Sequence, residues 1–164
     1  MSVGSPYGFI LPGAPKIVPP RLYVIDTSVA LKWYIRESGT TEARRYKESG
    51  IDRHAPDLLR LEGAHALLKR TRSSNLSQHI PTRNAQLITE VLLESTLINY
   101  HSCGPLLERA MALAIEVGAS VYDGLFLALA IEKKGRVVTA DRPFHDKIVA
   151  SSHSSFVRWF MDAP

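Results

Sequence analysis

Four acids stand apart from the rest of the chain by their surroundings: Asp26, Glu62, Asp123 and Asp141. Asp26 closes the apolar run LYVID, and Asp141 closes RVVTAD. Glu62 has Leu58, Leu59, Leu61, Ala64 and Ala66 around it, and Asp123 lies between Val121–Tyr122 and Leu125–Phe126–Leu127. A carboxylate among apolar neighbours is costly to desolvate unless something charged meets it. Singly, each has a plain structural explanation. Asp26 and Asp141 can cap a helix that follows a strand. Glu62 can face solvent from a half-buried helix, and Asp123 can answer the positive end of a helix dipole. Jointly they suggest chemistry. Four carboxylates meeting at one place would raise one another's proton affinity. A hard dication is the ordinary relief at neutral pH, and an all-oxygen set suits Mg2+ or Mn2+ better than Zn2+. Such ions activate a water and stabilise the oxygens of an in-line phosphoryl displacement.

The elements that must gather these acids are legible as alternating strands and helices. LYVID, residues 22–26, is a short apolar run of the kind buried on both faces of a parallel sheet. TSVALKWYI follows as a helix, with Thr27 or Ser28 able to cap its first turn. Gly39 breaks it, and TTEARRYKESG reads as a more exposed helix. An extended piece at residues 53–55 precedes Pro56, which suits the first turn of the helix PDLLRLEGAHALLKRTR. There Leu58, Leu61, His65 and Leu68 form one stripe. Residues 82–94 are helical and residues 97–100 form a strand. GPLLERAMALAIEVG and SVYDGLFLALAIEKKG are two further helices, the second apolar nearly all round and so deeply buried. RVVTAD is a second buried strand. A short helix over residues 144–149 and an extended segment over 156–160 close the chain. This order implies an α/β fold with a central parallel sheet and helices on both faces. Ligands in such sheets bind off the carboxyl ends of the strands, where both Asp26 and Asp141 fall.

The chain has 164 residues, enough for one domain. Residues 1–20 read as a flexible leader because Pro12, Pro15, Pro19 and Pro20 interrupt any helix or strand, and residues 21–164 read as the domain. No apolar run is long enough to span a membrane. Cys103 is the single cysteine, read as a small semi-buried residue near a helix start. A lone cysteine without a secretory signal points to the cytoplasm. The net charge of +4 fits a polyanionic partner without requiring one. Basic residues cluster at Arg44, Arg45 and Lys47, at Lys69, Arg70 and Arg72, and at Arg142 with Lys147. Arg142, beside Asp141, is the best candidate for a phosphate contact. Trp33 and Tyr34 read as core residues more readily than as base-stacking platforms.

The chain resembles the PIN-domain family, and within it the ribonuclease toxins of VapBC toxin–antitoxin pairs. The resemblance lies in YVIDTSVALKWY, APDLLRLEGAHALLKR, LLERAMALAIEVGASVYDGLFLALAIEKKG and VVTADRPF, over residues 22–160. It implies a three-layer α/β/α fold and an acidic pocket of Asp26, Glu62, Asp123 and Asp141 holding Mg2+ or Mn2+. Hydrolytic RNA cleavage is the implied activity. Thr27, Ser28 and Thr139 match small hydroxyl positions beside that pocket. A small antitoxin protein and a second copy of the chain are implied partners. The helix face around residues 43–48 and the segment 87–93 are candidate contact surfaces. Two positions depart from the family. Gly124 stands where Ala is usual, and His65 where Asn is frequent. His65 is open to two readings, a core histidine or a group that orients a carboxylate.

Two other classes compete with a nuclease. One is a degenerate PIN module that binds RNA or protein without cutting. The other is a phosphotransferase with Asp26 as nucleophile, which also needs a lysine near the pocket, and none is well placed.

Overall fold

The computed structural model describes residues 21–164. The expected leader, residues 1–20, lies outside the described residues. The strands are β1 (Arg21–Ile25), β2 (Ile51–Pro56), β3 (Asn99–His101), β4 (Arg136–Thr139) and β5 (Val157–Trp159). The helices are α1 (Thr27–Lys32), α2 (Thr40–Arg45), α3 (Leu58–Thr71), α4 (Thr82–Glu94), α5 (Leu107–Val117), α6 (Val121–Lys133) and α7 (Arg142–Val149).

All strand pairs are parallel, in the order β3-β2-β1-β4-β5. The apolar runs behave as expected. Val24, Ile25, Val137 and Val138 are fully buried at the centre of the sheet. Helix α6 lies along β1, β2 and β4 with α5 packed on it, while α3 packs on α1 and α4. The result is the expected three-layer α/β/α arrangement. In α6 every residue from Gly124 to Ala130 is buried, which is why it carries no polar stripe there. Among the described residues no single helix is long and apolar enough to cross a membrane.

Two details of α3 correct the sequence reading. Pro56 ends β2, paired with His101, and the helix begins only at Leu58. The stripe Leu58, Leu61, His65 and Leu68 is not the packed one: Leu61 is 72% exposed, Leu68 is 45% exposed and His65 is exposed. Leu59, Gly63 and Leu67 face inward instead. Leucines occupy two faces of this helix, so spacing alone could not choose between them. Gly63 settles the choice physically, because a Cβ there would lie 2.8 Å from the Leu92 side chain of α4. The turn sets Glu62 at the margin of the buried face, half-covered.

Gly124 has a similar cause. A Cβ on it would fall 2.3 Å from the Ala110 carbonyl oxygen of α5. The missing side chain lets α5 and α6 approach at the turn that carries Asp123. Gly124→Ala forces backbone to move and is expected to destabilise the protein by about 1–3 kcal/mol despite the better helix propensity of Ala. Thermal or urea unfolding measures this, and an unchanged or raised midpoint would show that the two helices yield freely.

Candidate active site

The sheet order reverses direction between β1 and β4, since β2 lies on one side of β1 and β4 on the other. Ligand crevices form at such a switch point. Asp26 follows β1 directly and is 8% exposed. Its backbone N–H donates to the Val138 carbonyl across the switch (3.1 Å), which brings Thr139 alongside. Thr139, fully buried, donates its hydroxyl to Asp26 Oδ2 at 2.6 Å. Ser28 donates to the same oxygen at 2.5 Å.

These hydroxyls have no freedom to turn away. Ser28 Oγ accepts the Ala140 N–H (2.9 Å), and Thr139 Oγ1 accepts the Asp141 N–H (2.9 Å). Each hydroxyl has one proton, and with the oxygen already accepting from backbone that proton is aimed at Asp26. Both bonds go to Oδ2. Burial pushes the Asp26 carboxyl above its usual range; the two hydroxyls oppose this in part, and the charge of Asp123 adds to it.

Glu62 reaches the same region from α3. Thr27 donates to Glu62 Oε2 at 2.6 Å. Its carboxyl is also raised, first by burial, against the Thr27 bond, and then by the charges of Asp26 and Asp123. Asp26, Glu62 and Asp123 therefore feel one another. No Lys or Arg side chain pairs with any of the four acids among the described residues.

The remaining two acids also serve their helices. Asp123 sits in a capping box: the Ser120 N–H (3.1 Å) and hydroxyl (2.8 Å) donate to its Oδ2, and its own N–H donates to Ser120 Oγ (3.1 Å). Asp141 is the N-cap of α7, accepting the Phe144 N–H on Oδ1 at 3.0 Å, and it is exposed. Asp26 occupies the N-cap position of α1 but makes no side-chain cap bond. The expected capping role of Thr27 and Ser28 is replaced by their bonds to Glu62 and Asp26.

Among the described residues no three His, Cys, Asp or Glu side chains stand together closely enough to enclose a metal ion. The donor chemistry nonetheless fits a hard divalent cation. The donors are all carboxylate oxygens, their charge is unneutralised, and burial holds two of them above the usual carboxylate range. Asp123 completes such a set only by turning Oδ2 out of its capping box or by using Oδ1.

The other sequence candidates divide. His65 is exposed and makes no hydrogen bond among the described residues, so it is neither a core residue nor a carboxylate support. Trp33 is 3% exposed and donates its ring N–H to the Ala43 carbonyl, as a core residue should. Arg70 pairs with Glu37 (2.7 Å), which also holds Lys32 (2.8 Å), and Arg44 donates to the Trp33 carbonyl. Those cations are committed within the chain. Arg142 lies with its guanidinium carbon 3.8 Å over the Trp159 ring. The sequence reading missed Trp159, which it left in an extended closing segment. It also missed Ser120, although S-x-x-D before an apolar run is a capping-box pattern. Cys103 is half-buried as expected, donating its thiol (2.8 Å) and N–H (3.2 Å) to Asp57 Oδ1.

Fold and site together define an α/β domain whose uncompensated carboxylates gather at the switch point of a parallel sheet. Residues 23–148 match the family described as PIN domain, and the chain belongs to that family. Ribonuclease VapC3 of Pyrobaculum aerophilum is 29% identical over 127 residues, covering 77% of this chain and 95% of that protein. The crystal structure of PAE2754 from the same organism superposes with a TM-score of 0.59 at 17% identity, covering 84% of this chain and 83% of that one. A toxin-antitoxin complex from Klebsiella pneumoniae gives a TM-score of 0.59 at 14% identity, covering 84% of this chain and 97% of that one. At such identities the two structures speak for the fold alone.

The raised carboxyls have a signed consequence. A carboxyl raised on folding stabilises the fold at pH below its unfolded value, and that contribution is lost as pH rises through the folded value. Above that window Asp26 and Glu62 are held charged at a cost. Asp26→Asn keeps an acceptor oxygen for Ser28 and Thr139 and removes the charge. In EDTA it is expected to raise the melting temperature at pH 7–8, with the gain shrinking toward pH 4. Melting curves across that range check this; a variant that melts lower than the parent at pH 8 would contradict the electrostatic account.

Proposed function

We propose that this protein is a divalent-metal-dependent endoribonuclease of the VapC type, the toxin of a toxin–antitoxin pair. The observation that carries this reading is the buried Asp26 carboxylate, held through one oxygen by two hydroxyls and faced by two further acids with no cation among them. Membership of the PIN family and the similarity to a ribonuclease VapC support the choice of RNA as substrate. The net charge of +4 agrees with a polyanion.

Asp26, Glu62 and Asp123 would hold Mg2+ or Mn2+, with Asp141 beside them. When bound, such an ion supplies charge stabilisation for a phosphodiester undergoing in-line attack by water. The chain's own residues do the rest. Ser28 and Thr139 fix the plane of the Asp26 carboxylate, as supports one shell away from a metal do. Thr27 holds Glu62 through Oε2. Burial on the sheet side limits water around Asp26.

A small antitoxin protein and a second copy of the chain are the partners of this reading. Support comes from the unpartnered apolar surface of α3 and α4, where Leu61, Leu68, Leu87, Val91 and Leu93 are exposed. The Klebsiella pneumoniae neighbour is itself a toxin-antitoxin complex.

Calorimetric titration with Mn2+ paired with cleavage of total RNA tests the proposal. The parent protein is expected to bind Mn2+ and cut, with affinity falling as pH drops because the bound protons must leave. Asp26→Asn is expected to lose both by at least about tenfold. A parent protein that binds no Mn2+ and leaves RNA intact is instead a non-catalytic module.

A further inference from the structure

Next to the acids lies a built aromatic stack that the hydrolysis itself does not use. Trp159 on β5 pairs in register with Thr139 on β4, the residue whose hydroxyl holds Asp26. Neighbouring strands stand about 4.8 Å apart, so Trp159 is one strand beyond the acid site. Its ring is fixed from two sides. His145 meets it edge-on at 5.5 Å and 67°, and Phe160 at 5.0 Å and 70°. Arg142, the residue after Asp141, lays its guanidinium over the ring face at 3.8 Å. Among the described residues it makes one loose ion pair, with Asp146 at 3.8 Å, and its side chain is 55% exposed.

A guanidinium is planar and stacks on both faces. Here one side is taken by Trp159, and the side chain is 55% exposed, which leaves the guanidinium a face for a further planar group. We propose that the open face of Arg142 is a nucleobase platform, on which a base flanking the cleaved phosphodiester of a single-stranded RNA stacks. The inference rests on the ribonuclease reading above and adds a base contact to it, in place of the simple phosphate contact that charge alone suggests. Single-strand binding of this kind is tolerant of sequence, because every base has a π-face. Holding the guanidinium over an indole braced by His145 and Phe160 lowers the ordering cost of the stack.

Binding of a labelled single-stranded RNA of mixed sequence, followed by anisotropy in EDTA, separates a stack from a phosphate contact. Arg142→Lys keeps the charge and removes the plane. It is expected to weaken binding about tenfold while leaving the salt dependence unchanged. Against an abasic ribose-phosphate strand of the same length the parent and the variant are expected to bind alike. Equal affinity of Arg142→Lys and parent for the intact RNA overturns the stack, as does an equal loss on both strands. Cleavage of total RNA with Mn2+ is scored alongside. A parent protein that cuts but shows no base-dependent effect of Arg142 loses only the platform. One that neither binds nor cuts overturns the ribonuclease reading as well.

Discussion

A carboxylate stripped of water needs donors, and at Asp26 those donors are two hydroxyls instead of a cation. The arrangement depends on strand register. Ile25 pairs with Val138, so the chain leaves both strands at the same height and Thr139 meets Asp26. Ser28 comes round on the first turn of α1 and is braced by the Ala140 amide from the other strand. Thus the β1–β4 pairing, the start of α1 and the start of α7 are fastened through one carboxylate oxygen. Replacing either hydroxyl would leave one backbone N–H without its acceptor and take one of two donors from the carboxylate oxygen, a loss larger than one hydrogen bond.

The four acids divide according to what the fold receives from them. Asp141 caps α7 and Asp123 closes the capping box of α6, and each accepts an amide that would otherwise lack an acceptor. Asp26 and Glu62 give no such return: they are covered, they repel, and their partners are hydroxyls recruited to hold them. A fold selected for stability alone would have apolar residues there. Groups kept against their electrostatic preference cluster at functional sites, and burial raises both of these carboxyls.

Much of this was legible in the sequence, for identifiable reasons. Buried parallel strands are nearly pure apolar runs, so LYVID and RVVTAD showed both the strands and the acids at their ends. Strand-helix alternation then implied the architecture, a parallel sheet between helices. The inward face of α3 was not legible, because leucines lie on two sides and the choice is made by Gly63 against Leu92. His65 was misjudged with that face. The partners of Thr27 and Ser28 depended on distances across 35 and 112 residues, which no local pattern reports. The Arg142–Trp159 stack was hidden similarly, since it follows from the β4–β5 register.

The contact between Cys103 and Asp57 reaches into the protein's chemistry in air. Burial first, then the hydrogen bond to Asp57, pushes the thiol up to about 11. Thiolate is the form that oxidants and alkylating reagents attack, and near neutrality roughly one molecule in ten thousand carries it. The sulfur therefore ages slowly in storage, and iodoacetamide becomes a gauge of whether the link between β3 and the start of α3 has opened.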